Sequence, residues 1–216
     1  MSTDLLEEYI EAGNGPAIED LLNSNPRLAG ERTSHGMSPL LLACYYNKPQ
    51  LAKLFAKHLE QLSVFEVAAL GLTDHMISMI AAEEQLVNDV SDHGFSVLGI
   101  ATHFAQEDIV RFLLSKLADP NQSSMNGYYV FPLHTAVSSG FQGIAKMLIE
   151  GGAEVNVVQA SGITPLHLAA QRGDIELIVL LLEYGASVEV ENEAGQTPAD
   201  LARERGHEEI AEILTI

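Results

Sequence analysis

Residues Gly162 to Ala186 read GITPLHLAAQRGDIELIVLLLEYGA, and most other segments of the chain are altered copies of this run. Thr164 is a typical helix N-cap, and Pro165 fits the first helical position, where its missing N–H leaves no additional donor unpaired. Small and apolar residues follow as far as Gly173, which can adopt the left-handed conformation that ends a helix. The run therefore predicts a short helix that starts at Pro165 and stops at Gly173.

A second helix is predicted from Ile175 to Tyr184, because its leucines and isoleucines give a wide apolar face and Gly185 can close its end. Isolated helices shorter than about 12–15 residues are marginal in water. Neither helix would persist alone, so both must pack on copies of themselves.

These copies recur at a fixed period. The position of Pro165 is repeated at Pro132 and at Pro198, the same distance before and after it. This spacing matches helix-turn-helix units of about 33 residues that open on T-P-L-H-x-A, the sequence signature of ankyrin repeats. The sequence resembles the ankyrin-repeat family through four such openings: Thr164-Pro165-Leu166-His167-Leu168-Ala169-Ala170, Phe131-Pro132-Leu133-His134-Thr135-Ala136, Thr197-Pro198-Ala199-Asp200-Leu201-Ala202 and Ser38-Pro39-Leu40-Leu41-Leu42-Ala43.

The resemblance implies an all-α solenoid of about seven helix-turn-helix units, with short β-hairpin or loop fingers between helix pairs and a cap at each end. The chain also resembles the short stand-alone ankyrin-repeat proteins that are common in bacteria. We interpret the chain as a single domain, 1–216. Its units are predicted at 4–32, 36–61, 63–90, 94–121, 126–158, 160–191 and 193–216.

Two irregular spacings predict local departures from this plan. Val64 follows Pro39 at a spacing eight short of the period, so we predict that no finger precedes the third unit. The third unit is identified by Ala68-Ala69 and by a predicted apolar stripe of Met76, Ile77 and Ile80. Pro132 follows Val97 at a spacing two longer than the period, which predicts a longer loop around 123–129.

Charge restricts the class of partner. Thirty acidic residues against eleven basic ones give a formal charge of −19, which opposes binding to nucleic acid or to anionic membranes. A basic protein partner is compatible with this charge, although solubility alone would also explain it. The acidic start of the chain and the lack of a membrane-length apolar run predict a cytoplasmic location.

The search for catalytic chemistry is mostly negative. Cys44 is the one cysteine, and we predict that it packs in the core. The eight histidines form no H-E-x-x-H pair, and no phosphate-binding glycine loop or nucleophile elbow occurs, so no metal, cofactor or catalytic residue is predicted. For His134 and His167 the resemblance implies a structural hydrogen bond to the capping residue or its neighbouring backbone; Phe131 replaces that cap beside His134.

The resemblance also implies where a partner would bind. In ankyrin repeats, contacts come mainly from residues that flank the finger glycine and from the solvent-facing end of each first helix. The matching finger positions are His35, Met37, His93, Phe95, Tyr128, Tyr129, Val130, Ser161 and Ile163. The matching helix-end positions are Tyr45, Tyr46, His103, Phe104, Ser138, Ser139, Gln171 and Arg172.

Six of the thirteen Phe and Tyr residues fall at these positions. Exposed aromatic residues on one face are typical of binding hot spots, although the rings could instead pack on one another and stiffen the groove. The favoured hypothesis is a non-catalytic module, monomeric in preference to a homo-oligomer, that binds a protein or peptide along its concave face. The alternatives are an acidic inhibitor or immunity-type protein that masks a basic partner, and an enzyme with a site near His93, His103 and Tyr128.

Overall fold

The computed structural model describes residues 2–215, and over this range the chain forms fourteen α-helices in seven consecutive pairs, called units one to seven below. The helices are α1 (Ser2–Ala12), α2 (Gly15–Ser24), α3 (Pro39–Tyr45), α4 (Pro49–His58), α5 (Val64–Leu70), α6 (Thr73–Ala82), α7 (Val97–His103), α8 (Glu107–Ser115), α9 (Pro132–Ser139), α10 (Gln142–Glu150), α11 (Pro165–Arg172), α12 (Ile175–Glu183), α13 (Pro198–Glu204) and α14 (Glu208–Ile213). Short 3-10 turns lie at Pro26–Ala29, Glu84–Asn88 and Ala160–Gly162.

The ends of α11 form as the sequence predicts. The Thr164 hydroxyl accepts a hydrogen bond from the backbone N–H of His167, and Pro165 is the first helical residue. Gly173 closes the helix in the left-handed conformation with φ of 72°. The next helix, α12, is capped by the Asp174 carboxylate and ends one residue before the predicted Tyr184. Local sequence therefore sets both helices of this unit.

Packing between units stabilises these short helices. The first helices stack in chain order, with α5 packed against both α3 and α7, and α11 against both α9 and α13. One cluster of buried residues belongs to units one and two and is centred on Leu6, Ile18 and Phe55. A second and larger cluster runs from Leu41 to Leu214. Each unit thus buries its apolar faces mainly against its neighbours, as in a repeat solenoid.

The fingers are closed loops that form no β-strand within the described range. Each finger is held by a backbone hydrogen bond of 2.9–3.0 Å from its first N–H to its last C=O. The five fingers, numbered in chain order, are 33–37, 91–95, 124–130, 159–163 and 192–196. The fold class predicted from the sequence, an all-α solenoid of about seven units, is confirmed.

The two irregular spacings have the predicted consequences. Residues 59–63 alone join α4 to α5, so no finger precedes unit three. The segment 116–131 separates α8 from α9 and is longer than the segment 151–164 between α10 and α11. The third finger is therefore the longest of the five.

The predicted apolar stripe of α6 is wrong at one position. Met76 and Ile80 are buried, but Ile77 is 42% exposed. Successive residues of an α-helix are rotated by about 100°, so a residue next to a buried one turns away from the core. Ile77 instead lines an open cavity of about 340 Å³ between α6 and α8, together with Phe112.

Leu117 occupies a position where the next two units have glycine. Its φ is 62°, and the corresponding residues Gly152 and Gly185 have φ of 98° and 86°. The left-handed conformation costs a non-glycine residue about 1–2 kcal/mol. The Leu117 side chain is also 85% exposed, so it recovers little of that cost by burial.

We expect Leu117→Gly to raise the free energy of unfolding by about 0.5–1 kcal/mol, since relief of backbone strain outweighs the extra entropy of glycine in the unfolded chain. Urea denaturation followed by circular dichroism would measure the change. The matched control is Lys116→Gly, where φ is −98° and no strain is relieved, so stability should fall. Destabilisation by both substitutions would contradict the expectation.

Candidate functional site

The solvent-facing ends of α3 and α7 bring three of the predicted site residues into one ring cluster. The ring centroid of Tyr45 lies 5.1 Å from that of His103 and 5.0 Å from that of Phe104. His103 and Phe104 are themselves 4.8 Å apart, edge to face. The cluster joins unit two to unit four, although α5 lies between α3 and α7 in the stack. These three residues therefore serve packing as well as any partner.

The ring cluster is uncharged at neutral pH. Loss of hydration lowers the pKa of His103 below its usual range, so the imidazole is neutral. Burial raises the pKa of Tyr45, which keeps the phenol protonated. The cluster therefore presents an aromatic, neutral surface on a chain whose formal charge is −19.

A small cavity of about 70 Å³ lies beside the ring cluster. Its walls include Tyr45, Phe95, His103 and Gln122. The Gln122 Oε1 atom is buried and has no hydrogen-bond partner within residues 2–215. A buried acceptor without a partner costs about 1–3 kcal/mol. The hydrogen bonds beside the ring cluster are therefore not all satisfied within the described chain.

The third finger and the end of α3 carry exposed tyrosines. Tyr128 is 66% exposed and Tyr129 is 58% exposed. Tyr129 adopts a left-handed φ of 51° at the position before the last finger residue, where the other fingers have glycine, and Gly127 of the same finger is also left-handed, with φ of 86°. Tyr46 is also exposed, and none of the three has an aromatic ring partner in the described part of the chain. Contact between aromatic rings therefore does not account for the position of these tyrosines.

Other predicted site residues hold the fingers together. His93 Nε2 donates to the backbone oxygen of His35 at 2.7 Å, and the backbone oxygen of Ser161 accepts from Glu193 at 3.0 Å. Arg172 Nη1 donates to the Ser138 oxygen at 2.8 Å, which links units five and six.

The remaining predicted residues differ in how far solvent reaches them. Met37 and Phe95 are half-buried against the core. Half-buried as well are Val130, Ile163 and Gln171, whereas Ser139 is exposed.

His167 has the structural role that the resemblance implies. Its Nδ1 accepts from the Thr164 backbone N–H at 3.2 Å and lies 2.8 Å from the Thr164 hydroxyl oxygen. Its Nε2–H donates to the Gln196 oxygen at 3.0 Å. The ring therefore links the cap of its own helix to the backbone of the next unit.

His134 repeats only half of this arrangement. Its Nε2–H donates to the Ile163 oxygen at 2.9 Å. Its buried Nδ1 has no partner among residues 2–215, because Phe131 offers no hydroxyl at the capping position. Burial lowers the pKa of His134 to about 4, so the ring is neutral at pH 7.

His93, His103 and Tyr128, the residues of the enzyme alternative, do not line a common cavity among those found around them. His103 lines the small cavity beside the ring cluster, and His93 lines the spaces around the second finger, while Tyr128 stands exposed. Burial raises the pKa of the Cys44 thiol to about 12, so it is not a thiolate at neutral pH. Over the described range, no group of three or more His, Cys, Asp or Glu side chains is placed to hold a metal ion.

Sequence reasoning missed two residues of this face. Met125 is strongly exposed on the third finger, and its backbone N–H donates to the Gly94 oxygen at 2.8 Å. Gln122 lines the small cavity, and its side-chain oxygen is unpaired. Both lie in the segment between α8 and α9, where the repeat spacing is two positions longer than the period. That irregular spacing was the available signal.

Comparison with known proteins agrees with this architecture. A family model described as ankyrin repeats (3 copies) matches residues 76–159 and 133–215. These matches together cover more than half of the 216 residues. No curated protein matches the chain. Within residues 2–215, no helix has both the length and the apolar character needed to cross a membrane. With its helix pairs stacked in chain order and its last four units, together with most of α6, covered by that model, the chain belongs to the ankyrin-repeat family.

Proposed function

We propose that this chain is a non-catalytic module that binds a protein or peptide partner on its groove face, the surface formed by the five fingers and the solvent-facing ends of the first helices. Ankyrin repeats are generally protein–protein interaction modules and are typically non-catalytic. The observation that carries the proposal is the set of exposed tyrosines without ring partners: Tyr46, Tyr128 and Tyr129. Tyrosine is enriched among residues that dominate binding energy.

The arrangement of polar groups supports contacts of mixed character. The neutral ring cluster of Tyr45, His103 and Phe104 offers an apolar surface, and a small cavity lined in part by Gln122 lies beside it. The remaining predicted positions, from His35 and Met37 on the first finger to Gln171 and Arg172 at the end of α11, extend this face along the solenoid. An extended partner that crosses several units fits such a surface.

The proposal includes a single binding domain that acts as a monomer in the cytoplasm. It uses no cofactor and binds neither nucleic acid nor membranes. The formal charge of −19 favours a basic partner, because opposite charges steer association. A narrower version, in which the chain masks the basic active surface of a partner as an acidic inhibitor or immunity-type protein, is favoured by the same charge.

The test compares two double alanine variants. Tyr46→Ala with Tyr128→Ala removes exposed rings from the groove face. Tyr184→Ala with Ile175→Ala instead removes exposed side chains from α12 and its C-cap in unit six. Partners would be captured from lysate of the source cells and their affinities then measured with purified protein.

We expect the groove-face variant to bind its partner at least about tenfold more weakly, since each hot-spot tyrosine contributes more than about 1 kcal/mol. The control variant should bind within about twofold of the wild type. Equal affinity of both variants for the captured partner would reject the groove face as the binding site.

A further inference from the structure

Neighbouring fingers are linked tip to tip by backbone hydrogen bonds. The N–H of Met125 in the third finger donates to the Gly94 oxygen of the second at 2.8 Å. Ala160 in the fourth finger donates to Tyr128 at 2.9 Å, and Glu193 in the fifth donates to Ser161 at 3.0 Å. In each link the later finger supplies the N–H and the earlier finger supplies the C=O.

The link between the first and second fingers is made by side chains instead. No finger precedes unit three, so nothing follows the first finger at the usual spacing. The backbone oxygen of His35, which corresponds to those of Tyr128 and Ser161, accepts from the His93 imidazole at 2.7 Å. An ion pair joins Arg32, the residue before the first finger, to Asp92 of the second finger. The His93 and Asp92 side chains thus make contacts with the region of the first finger that the backbone of a following finger makes elsewhere.

Beneath this side-chain bridge lies a cavity of about 390 Å³, which we call the slot. Its lining includes Met37 at the end of the first finger, Phe65 and Glu66 in α5, and Asp89 before the second finger. Arg32 and Asp92 of the bridge also line it. The slot has the position that the missing finger would fill. It is therefore specific to the irregular unit of this chain.

A buried carboxylate lies in the wall of the slot. Glu66 is only 5% exposed, and it accepts hydrogen bonds from the Ser38 hydroxyl at 2.6 Å and from the backbone N–H and hydroxyl of Ser63 at 2.8 and 2.9 Å. Over residues 2–215, no lysine, arginine or histidine nitrogen lies within 4.0 Å of this carboxylate. A cation that entered the slot would therefore meet a negative charge without a competing ion pair.

We propose that the slot receives an extended, basic segment of the partner, an inference that rests on the proposed binding function. A backbone N–H of the segment donates a hydrogen bond to the His35 oxygen and replaces the bond from His93. Extended peptides bind exposed backbone groups in this way. A lysine or arginine side chain of the segment enters the slot and pairs with Glu66. The bridge can open for it, because the Arg32 and Asp92 side chains are 64% and 66% exposed and such surface pairs contribute little stability.

The experiment uses the full chain and a fluorescein-labelled peptide, Lys-Val-Arg-Val-Lys, with both ends blocked. Fluorescence anisotropy would compare the wild type with Glu66→Gln, with His93→Ala and with Glu189→Gln, which removes an exposed carboxylate near the fifth finger. Circular dichroism would show that each variant is folded. The His93 imidazole signals in ¹H–¹⁵N spectra would report whether the peptide breaks the bond to His35.

We expect Glu66→Gln to weaken peptide binding about tenfold or more, as loss of one member of a desolvated charge pair does. The Glu189→Gln variant should bind within about twofold of the wild type, since an exposed charge contributes little. The His93→Ala variant should bind more tightly, because the His35 oxygen is then free. A purely structural role for His93 predicts the opposite sign.

Three results would overturn the slot proposal: no peptide binding to the wild type, equal effects of Glu66→Gln and Glu189→Gln, or weaker binding to His93→Ala. Its failure can be told apart from failure of the proposed function. A natural partner that binds Glu66→Gln but not the tyrosine double variant would support the groove face as the binding site and reject the slot proposal.

Discussion

Acidification from pH 7 to pH 4.5 should lower the free energy of unfolding by about 2–3 kcal/mol through His134 alone. Burial among apolar side chains lowers the pKa of this imidazole to about 4 in the folded chain, against 6.5 for an unperturbed histidine. Between these two values the unfolded state binds the proton and the folded state does not. The stability is therefore fully present above pH 6.5 and is lost as the pH falls towards 4.

Urea denaturation at four pH values between 7.0 and 4.5 would measure this loss. The matched variant is His134→Gln, whose side-chain amide can still donate to the Ile163 oxygen but does not titrate. Carboxylates titrate in both proteins and cancel in the comparison. We expect the stability of the wild type to fall more steeply than that of the variant; parallel curves would show that His134 does not titrate as its burial requires.

Gly162→Ala should be among the most damaging single substitutions in the fingers, with a loss of about 2–4 kcal/mol. The φ of Gly162 is +76°, and an added Cβ would lie 2.8 Å from the backbone nitrogen of Glu193 and 2.9 Å from the Asn192 Cα atom. Backbone atoms cannot rotate out of the way as a side chain can. The fifth finger would have to move, which would strain the bond from Glu193 to the Ser161 oxygen.

Gly195→Ala is the control that separates the cost of the positive φ from the cost of the clash with the neighbouring finger. Gly195 has nearly the same φ, +74°, but an added Cβ would meet no atom within 4 Å. It should therefore lose only the conformational cost of about 1 kcal/mol. Thermal melting of both variants would give the difference, which reports the close approach of neighbouring fingers; equal losses would mean that backbone conformation explains both.

The regular part of the fold was predictable because five of the first helices, α3, α5, α7, α11 and α13, repeat a serine or threonine cap. Thr164, Pro165 and Gly173 define one helix by local rules, and those rules transfer to each copy. The missing finger was predictable for the same reason, since the shortened spacing from Pro39 to Val64 leaves no room for it. Ile77 was misplaced because a short apolar run in a helix does not show which residue faces the core.

The candidate site was predictable only as a set of positions. The sequence placed Tyr45 and His103 on one face but could not show that they touch across unit three, because contact between units two apart is absent from a regular repeat. The bond from His93 to the His35 oxygen likewise spans unit three, so a regular repeat does not predict it. Met125 and Gln122 lie beside the irregular third finger and were not among the positions that the resemblance assigns to binding.

The absent finger before unit three also bears on how the molecule comes apart. Most buried side chains of units one and two form one cluster, and a second cluster, which includes Leu41 of α3, continues to Leu214. In a linear array each repeat contacts only its neighbours, so the stability of the whole depends on the interface at each junction. We expect units one and two to detach as a block while the longer segment keeps its native order.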